Sequence, residues 1–236
     1  MIAGSAAVTT VSPSWARVID RQFGVGAKLH VISNGYDPED LATVEAHHFG
    51  HFAIVYAGSL WPPARVVSPV MAALRQLHEV GHRQVPWFFH YYGGDGQHVS
   101  DEAKRFGVTE RVVVHGTVSR AAALSAVKGA GVSVVITSVE ATAGLEANGM
   151  VTGKVFEAIG LGTPTLIVAP DGSDANVVAE TTGLARRYAA ADVDGISTFL
   201  SDLMGGQLLQ PKDTAAFAWG SLVSGLDGVL RRIVKA

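Results

Sequence analysis

The segment GMVTGKVFEAIGLGTPTLIVAP (149–170) decides the fold of this chain. Its first part places apolar residues at helical spacing and ends in two glycines and Pro164, which predicts a short helix that begins near Thr152. Its second part, TPTLIVAP (163–170), is a continuous apolar run of the kind that forms a buried strand. A helix followed at once by a buried strand is the repeating unit of a parallel sheet.

The same alternation extends on both sides of this segment. The pattern predicts strands at 52–58, 85–94, 111–116, 131–138, 163–170 and 184–189, and further helices at 67–81, 99–108, 119–130, 173–183, 193–204 and 212–234. Apolar strands that alternate with helices favour an α/β fold, a doubly wound Rossmann-like parallel sheet covered on both faces. Ligands of such sheets bind at the carboxyl ends of the strands, and glycines recur at those ends here.

The chain begins with a different pattern. Residues 8–36 read as strand, helix, strand and turn, and we expect them to lie outside the main sheet as a short N-terminal α/β extension. The polar stretch 37–51 is predicted to be a linker.

Composition excludes several classes of function. Of the 236 residues, 18 are Lys or Arg and 21 are Asp or Glu, so no general basic field would attract nucleic acid. Cysteine is absent, which excludes disulfides and thiolate metal sites. No apolar run reaches the roughly 20 residues of a membrane span, and the first residues lack the pattern of a signal peptide. We therefore expect a cytoplasmic protein, with peripheral attachment to the inner membrane face as an alternative.

Lys154 and Glu157 are the leading candidates for chemistry. At the start of a helix the free N–H groups and the dipole favour an anion such as phosphate, and Lys154 adds positive charge there. One turn later, the Glu157 carboxylate can accept hydrogen bonds from the two hydroxyls of a ribose. An ordinary surface ion pair at i,i+3 explains the same spacing equally well from these residues alone.

The order of several segments extends this argument. Seven segments occur in a fixed order along the chain. The two N-terminal ones are VTTVSPSWARVIDRQFG and LHVISNGYDPEDL, and they are followed by IVYAGSLWPPARVVSPVMAALRQL, YYGGDGQ, VVVHGTVSRAAALSAVKGAGVSVVI, GKVFEAIGLGTPTL and AWGSLVSGLDGVL. Together they resemble the C-terminal, donor-binding half of a GT-B glycosyltransferase of the GT4-like "group 1" type, over nearly the whole chain. The resemblance implies transfer of a sugar from a nucleotide-diphospho-sugar to an acceptor hydroxyl, with no metal or other cofactor, in a pathway such as polysaccharide biosynthesis.

The resemblance also implies donor-binding roles for particular residues. Glu157 matches the glutamate that holds the ribose, whereas Lys154 and the amide of Gly153 would face the diphosphate. Gly58 and Ser59 match the glycine loop under the diphosphate. Arg65 matches a basic residue after that loop. The turn beside the nucleotide pocket is matched by Gly93, Gly94 and Asp95. The strand end that contacts the base is matched by His115, Gly116 and Val118.

The chain departs from the family pattern at two points. The family has an earlier glutamate that contacts the donor sugar, and the matching position here is Gly149; Glu140 and Glu146 do not have the spacing. The family also often has Arg directly after the first glycine, where this chain has Ser59.

The resemblance predicts four regions: 1–36 as a remnant of the acceptor domain, 37–51 as the linker, 52–211 as the nucleotide-sugar-binding domain, and 212–236 as a helix that crosses toward the acceptor domain. Most of that acceptor domain would be missing, so catalytic residues on the acceptor side are not assigned and the activity of this chain alone is open. Expected partners are a nucleotide sugar and an acceptor that is a saccharide, a lipid-linked sugar or a small molecule. A homodimer through the surface left by the missing domain is a further expectation.

Other functions remain as alternatives. A catalytically inactive nucleotide-sugar-binding module and a nucleotide-sugar epimerase would share the architecture.

HEVGH (78–82) matches a zinc-peptidase motif with Glu102 as a third ligand, but Gly81 falls inside the helix that this motif requires. GMVTGKV (149–155) lacks the spacing of a P-loop, and GGDGQH (93–98) is not a dinucleotide fingerprint. The aromatic run WFFHYY (87–92) is better explained as a core strand than as an RNA-stacking surface.

Overall fold

The fold is built on short parallel strands. The structure is a computed structural model that describes residues 2–80, 85–140 and 144–235. The strands are β1 (Val8–Thr10), β2 (Leu29–Val31), β3 (Phe52–Ala57), β4 (Trp87–Tyr92), β5 (Val112–Gly116), β6 (Val132–Ile136), β7 (Thr165–Val168) and β8 (Ala185–Tyr188). The first two form a two-stranded parallel sheet of their own, and the other six form a parallel sheet in the order β5-β4-β3-β6-β7-β8. The predicted doubly wound sheet and the separate N-terminal α/β extension are confirmed.

Helices connect the strands. They are α1 (Pro13–Phe23), α2 (Pro38–Ala42), α3 (Ser68–Val80), α4 (Gly96–Arg105), α5 (Arg120–Gly129), α6 (Leu145–Asn148), α7 (Gly153–Gly160), α8 (Ala175–Thr182), α9 (Val193–Met204) and α10 (Trp219–Lys235). Judged over the part of the chain that the structure describes, no helix is both long and apolar enough to cross a bilayer.

The main sheet is buried on both faces. Every residue of β6 and β7 is buried, which explains why these strands are mostly apolar, with Ser133 and Thr165 as the exceptions. One face packs against α3 and α9 through residues such as Leu74 and Leu200. The opposite face packs against α5, α7 and α8, where Leu124, Phe156 and Val178 are buried. The crossovers therefore place helices on both sides, as the alternating pattern predicted.

Two helices begin at places that the periodicity did not indicate. Helix α4 begins at Gly96 rather than Val99, directly after its N-cap residue Asp95. Helix α10 begins at Trp219 rather than at residue 212. The preceding segment is held against α8 instead, because the Lys212 amide donates to the carbonyl oxygen of Thr182 at 2.8 Å. This backbone pairing competes with helix formation, and hydrophobic periodicity gives no signal for it.

The N-terminal extension is anchored to the main domain by a buried carboxylate. Asp174, at the N-cap of α8, accepts hydrogen bonds from the Ser14 amide at 2.7 Å and the Ser14 hydroxyl at 3.0 Å. Ser14 is fully buried and Asp174 is 7% exposed. Because a buried carboxylate needs such partners, the start of α1 and the start of α8 fix each other's positions.

Candidate functional site

A crevice opens between β3 and β6, where the strand order of the main sheet reverses. From β3 the chain winds toward β5 on one side, and from β6 it winds toward β8 on the other. Doubly wound sheets bind ligands at this switch point, outside the carboxyl ends of the strands. A cavity of about 420 Å³ occupies that position here. Its lining comes from the strand ends, β6, α5 and α7: Ala57, Gly58, Ser59, Tyr92, Gly93, Gly94, Thr117, Val118, Arg120, Ala123, Leu124, Val127, Ser133, Val134, Val135, Lys154, Glu157 and Ala158.

Glycines let three strand ends approach one another closely at the floor of the cavity. The Gly58 amide donates to the Tyr92 carbonyl oxygen at 2.8 Å, and the Gly93 amide donates to the Gly116 carbonyl oxygen at 2.9 Å. A Cβ atom on Gly93 would lie 2.3 Å from the Gly58 carbonyl oxygen. Only a residue without a side chain fits there without a shift of backbone, so the glycines are required by the packing of the turns.

Lys154 lies across Gly58 at the N-terminus of α7. A Cβ atom on Gly58, whose φ is +145°, would lie 1.7 Å from the Lys154 Nζ. The pKa of Lys154 is lowered by burial and by the nearby Arg65 guanidinium, and the Glu157 carboxylate opposes this shift. The Lys154 ammonium, the glycine loop at Gly58 and the N-terminus of α7 therefore lie next to one another, as the sequence predicts. An anion bound there would stabilise the charged lysine.

Arg65 joins this positive region from the loop after β3. Arg65, Thr152 and Lys154 line a small second cavity, which shares Val134, Val135 and Lys154 with the main one. Within the described residues, the buried Arg65 Nε and Thr152 Oγ1 have no hydrogen-bond partner. The Arg65 Nη2 contacts the Met150 Sδ at 3.4 Å. Buried donors without partners are uncommon, and here they lie beside the proposed phosphate position.

Glu157 faces the cavity, and its partner is a residue that the sequence did not single out. The Arg120 Nη2 donates to the Glu157 Oε1 at 2.8 Å and to the Asp40 Oδ2 at 2.8 Å. These bonds raise the pKa of Arg120 above its usual value. Asp40 lies in α2, within the predicted linker, so one guanidinium connects the linker to the candidate ribose carboxylate.

The carboxylate of Asp95, in the turn after β4, forms hydrogen bonds with other residues of the fold. Its Oδ2 accepts hydrogen bonds from the Leu60 amide at 2.9 Å and the Tyr91 hydroxyl at 3.0 Å. The carboxylate thus ties the loop after β3 to the turn after β4. It positions Ser59, Gly93 and Gly94 and is absent from the cavity lining.

His115 lies outside the cavity lining, although the neighbouring Val118 lines it. Its ring stacks on Tyr92 with centroids 4.1 Å apart, and its Nε2 lies 2.9 Å from the His90 Nδ1. The His90 Nε2 lies 2.8 Å from the His51 Nε2. We call His51, His90 and His115 the histidine chain. Burial and neighbouring histidines lower the pKa of His90 to about 4, and burial lowers the pKa values of His51 and His115.

The remaining candidates lie in two other places. Gly116 turns the chain with a φ of +72° and binds Gly93 through its carbonyl oxygen. Gly153, the first residue of α7, lines a separate groove with Trp219 and Leu222. Its amide still belongs to the N-terminal turn that holds Lys154.

Gly149, which occupies the position of the family's earlier glutamate, is packed against the N-terminal extension. A Cβ atom there would lie 2.6 Å from the Trp15 Cδ1 and 2.9 Å from the Ser12 Oγ. Glu140 and Glu146 are exposed and do not line the cavity. A carboxylate at position 149 would have to displace Trp15 or Ser12.

The zinc hypothesis finds no geometric support in the described residues. Glu79 pairs with Arg75 at 2.7 Å on the exposed face of α3, and Glu102 pairs with Arg105 at 3.3 Å on α4. His82, the second histidine of the motif, lies outside the described residues. No group of three potential metal-binding side chains occurs within residues 2–80, 85–140 and 144–235.

Comparison with solved structures identifies this architecture, although no family model and no curated protein matches the sequence. The lipopolysaccharide outer core galactosyltransferase WaaB superposes with a TM-score of 0.70 at 12% identity, over 97% of this chain and 62% of that protein. The fold is that of one half of a GT-B glycosyltransferase. Two further structures with the GT-B half are the pneumococcal O-GlcNAc transferase GtfA in complex with UDP and GlcNAc and the avilamycin glycosyltransferase AviGT4. Their TM-scores are 0.63 and 0.60 at 12% and 17% identity, each over 97% of this chain.

The GT-B half described here spans less than two thirds of these proteins, with 62% of WaaB, 45% of GtfA and 64% of AviGT4 aligned. A candidate UDP-N-acetylglucosamine 2-epimerase from Listeria monocytogenes is also similar, with a TM-score of 0.52 over 85% of this chain. The fold is thus shared by transferases and at least one candidate epimerase, so function has to be argued from the site.

Proposed function

We propose that this chain is the donor-binding half of a GT4-like glycosyltransferase that moves a sugar from a nucleoside-diphosphate sugar to an acceptor hydroxyl. One observation carries the proposal: Lys154 and Glu157 lie one turn apart on α7 and face the same cavity at the switch point of the sheet. GtfA, which shares the fold, was solved with UDP and GlcNAc, and this supports the same ligand class here.

The proposed chemistry concerns the leaving group. Negative charge develops on the diphosphate when the bond to the sugar breaks, and fixed positive groups stabilise it in the transition state. Lys154, Arg65 and the N-terminal amides of α7 are the groups in position to do so. In this proposal they make a metal ion unnecessary, and they leave Glu157 to hold the ribose.

The first test is a calorimetric titration of UDP, GDP, ADP and TDP into the purified chain, with and without EDTA. We expect one nucleotide to bind in both conditions. We expect Glu157→Ala and Lys154→Met to weaken it by at least about 10-fold, because each removes hydrogen bonds to a charged group worth about 1.5–3 kcal/mol. Glu110→Gln and Lys104→Met, exposed and absent from the cavity lining, are the matched controls.

The outcomes separate the proposal from its competitors. Binding that survives both site variants would contradict the assigned roles, and loss of binding in EDTA would contradict the metal-free arrangement. If no nucleotide binds the wild-type chain, the donor-site proposal fails.

A nucleotide-sugar-binding module without transferase activity is a second candidate. The observation in its favour is Gly149, which leaves the cavity without the carboxylate that contacts the donor sugar in the resembled family. Incubation with a labelled nucleotide sugar and analysis of the products distinguishes transfer, epimerisation and binding alone.

A further inference from the structure

Arg120 occupies a position that helix stability does not explain. Ser119 caps α5, with its hydroxyl accepting a hydrogen bond from the Ala122 amide at 3.2 Å, so Arg120 is the first helical residue. A cation in the first turn opposes the helix dipole. The compensating partners are two carboxylates from other parts of the fold, so the reason for an arginine here lies in those contacts.

The two contacts are nearly equivalent and both are accessible to solvent. The Arg120 Nη2 lies 2.8 Å from the Glu157 Oε1 and 2.8 Å from the Asp40 Oδ2. The side chains of Arg120, Asp40 and Glu157 are 58%, 48% and 31% exposed. Ion pairs this exposed contribute little to folding stability. Folding stability therefore does not account for them, and of the two contacts only the one from Arg120 restricts the direction of the Glu157 carboxylate.

That direction is compatible with ligand binding. Arg120 and Glu157 both line the main cavity, and Arg120 engages Glu157 through Oε1. A carboxylate has about four acceptor positions, so Glu157 keeps acceptor capacity for a pair of hydroxyls. A carboxylate already held in place loses less rotamer freedom when it binds a ligand.

We propose that Arg120 is a positioning residue for ribose recognition: it orients Glu157 toward the two ribose hydroxyls, and Asp40 of the linker helix α2 holds Arg120 in turn. This inference rests on the proposed function and adds the linker to the nucleotide site. The ligand feature it governs is the ribose diol, independent of the base.

The test compares ribonucleotides with deoxyribonucleotides. UDP, ADP and GDP and their 2′-deoxy forms are titrated into wild type, Arg120→Met, Arg120→Lys and Asp40→Asn. We expect the wild-type chain to prefer the ribonucleotide by about 10- to 100-fold, in keeping with a hydrogen bond to a charged group. In Arg120→Met this ratio should fall below about 3-fold while affinity for the deoxynucleotide changes less than about 2-fold. Arg120→Lys and Asp40→Asn should give intermediate ratios.

The control is Arg75→Met, which removes an exposed arginine paired with Glu79 at 2.7 Å on α3, and thermal melting checks that each variant folds. A wild-type ratio in Arg120→Met would overturn the inference. So would an equal loss for both nucleotides, since it would place Arg120 in direct contact with another part of the ligand. A wild-type chain that binds nucleotides without a ribose preference would overturn the role of Glu157 instead. A wild-type chain that binds only TDP would overturn this inference alone, because TDP lacks the ribose diol. A chain that binds none of UDP, ADP, GDP and TDP would overturn the proposed function, and this inference with it.

Discussion

At the scale of single residues, the most informative position is Gly149. In the resembled family this position carries the glutamate that contacts the sugar, whereas here it packs against Trp15 and Ser12 of the N-terminal extension. The Ser12 hydroxyl also caps α1 through the Trp15 amide at 3.3 Å. The residue that replaces the family's glutamate is therefore also the residue against which the start of α1 packs.

Gly149→Ala should lower the free energy of unfolding by about 1–3 kcal/mol, because the new methyl group must push Trp15 or Ser12 aside. Chemical denaturation followed by circular dichroism measures the change. Gly220→Ala is the control, since a Cβ atom there meets open space within α10 and should be neutral or stabilising by up to about 1 kcal/mol. Equal stability of Gly149→Ala and wild type would show that the extension adjusts freely.

Sequence reasoning located some site residues and missed another for a physical reason. Lys154 and Glu157 lie within one helical turn, so their spacing alone predicts a common face. Arg120 is 37 residues from Glu157 and 80 residues from Asp40, and only the tertiary fold brings the three together. An arginine at the start of a helix, against the dipole, was the available local signal.

At the scale of secondary-structure elements, β4 and β5 carry two members of the histidine chain, His90 and His115. Side chains alternate along a strand, and His90 shares a face with Tyr92, toward Phe49 and His51 of the segment predicted to be a linker. His115 meets His90 on this face. The sequence placed His115 at the right strand end, but the side-chain direction depends on the irregular register between Tyr91 and Tyr92.

Stability should therefore fall in acid. The folded pKa of His90, about 4, lies below the ordinary value of 6.5, so the unfolded chain binds more protons between these limits. The contribution is complete above pH 6.5 and is lost as the pH drops toward 4. The titratable groups that face His90 are His115, His51 and His47.

Denaturant titrations between pH 4 and 7 test this effect. His90→Gln removes the central proton site, so the dependence of stability on pH should become shallower even if the variant is less stable overall. Substitution of the exposed His48, three residues before His51, by Gln should keep the wild-type slope. An unchanged slope in His90→Gln would locate the acid sensitivity elsewhere.

At the scale of the whole molecule, the alternation of strands and helices was sufficient to predict the parallel sheet and the side of it on which the candidate cavity lies. The docking of the N-terminal extension was not predictable, because it depends on Ser14 meeting Asp174 across 160 residues. The late start of α10 has the same cause, since its preceding segment pairs with α8 through Lys212 and Thr182. Local patterns specify elements, whereas long-range polar contacts fix how they are attached.

The whole chain should bind a nucleotide sugar with little turnover. Glu157 is the one carboxylate in the described cavity lining, and the proposed role holds it at the ribose rather than at the reacting carbon. Incubation with the UDP-, GDP-, ADP- or TDP-sugar whose nucleotide binds, followed by quantitation of transferred and hydrolysed sugar, measures this. Turnover on the order of the median enzyme rate, about 10 per second, would show that the described site is catalytically complete.

The strand order has a consequence for how copies of this protein behave at high concentration. Among the described strands of the main sheet, β5 and β8 are the two that have a neighbouring strand on one side only. Strand β8 carries Arg186 and Arg187, and charged side chains on an edge discourage a further strand from adding there. Strand β5 has the sequence VVVHG, and Val114 on it is 38% exposed. Aggregation is therefore expected to begin at β5, where a single added charge would improve solubility.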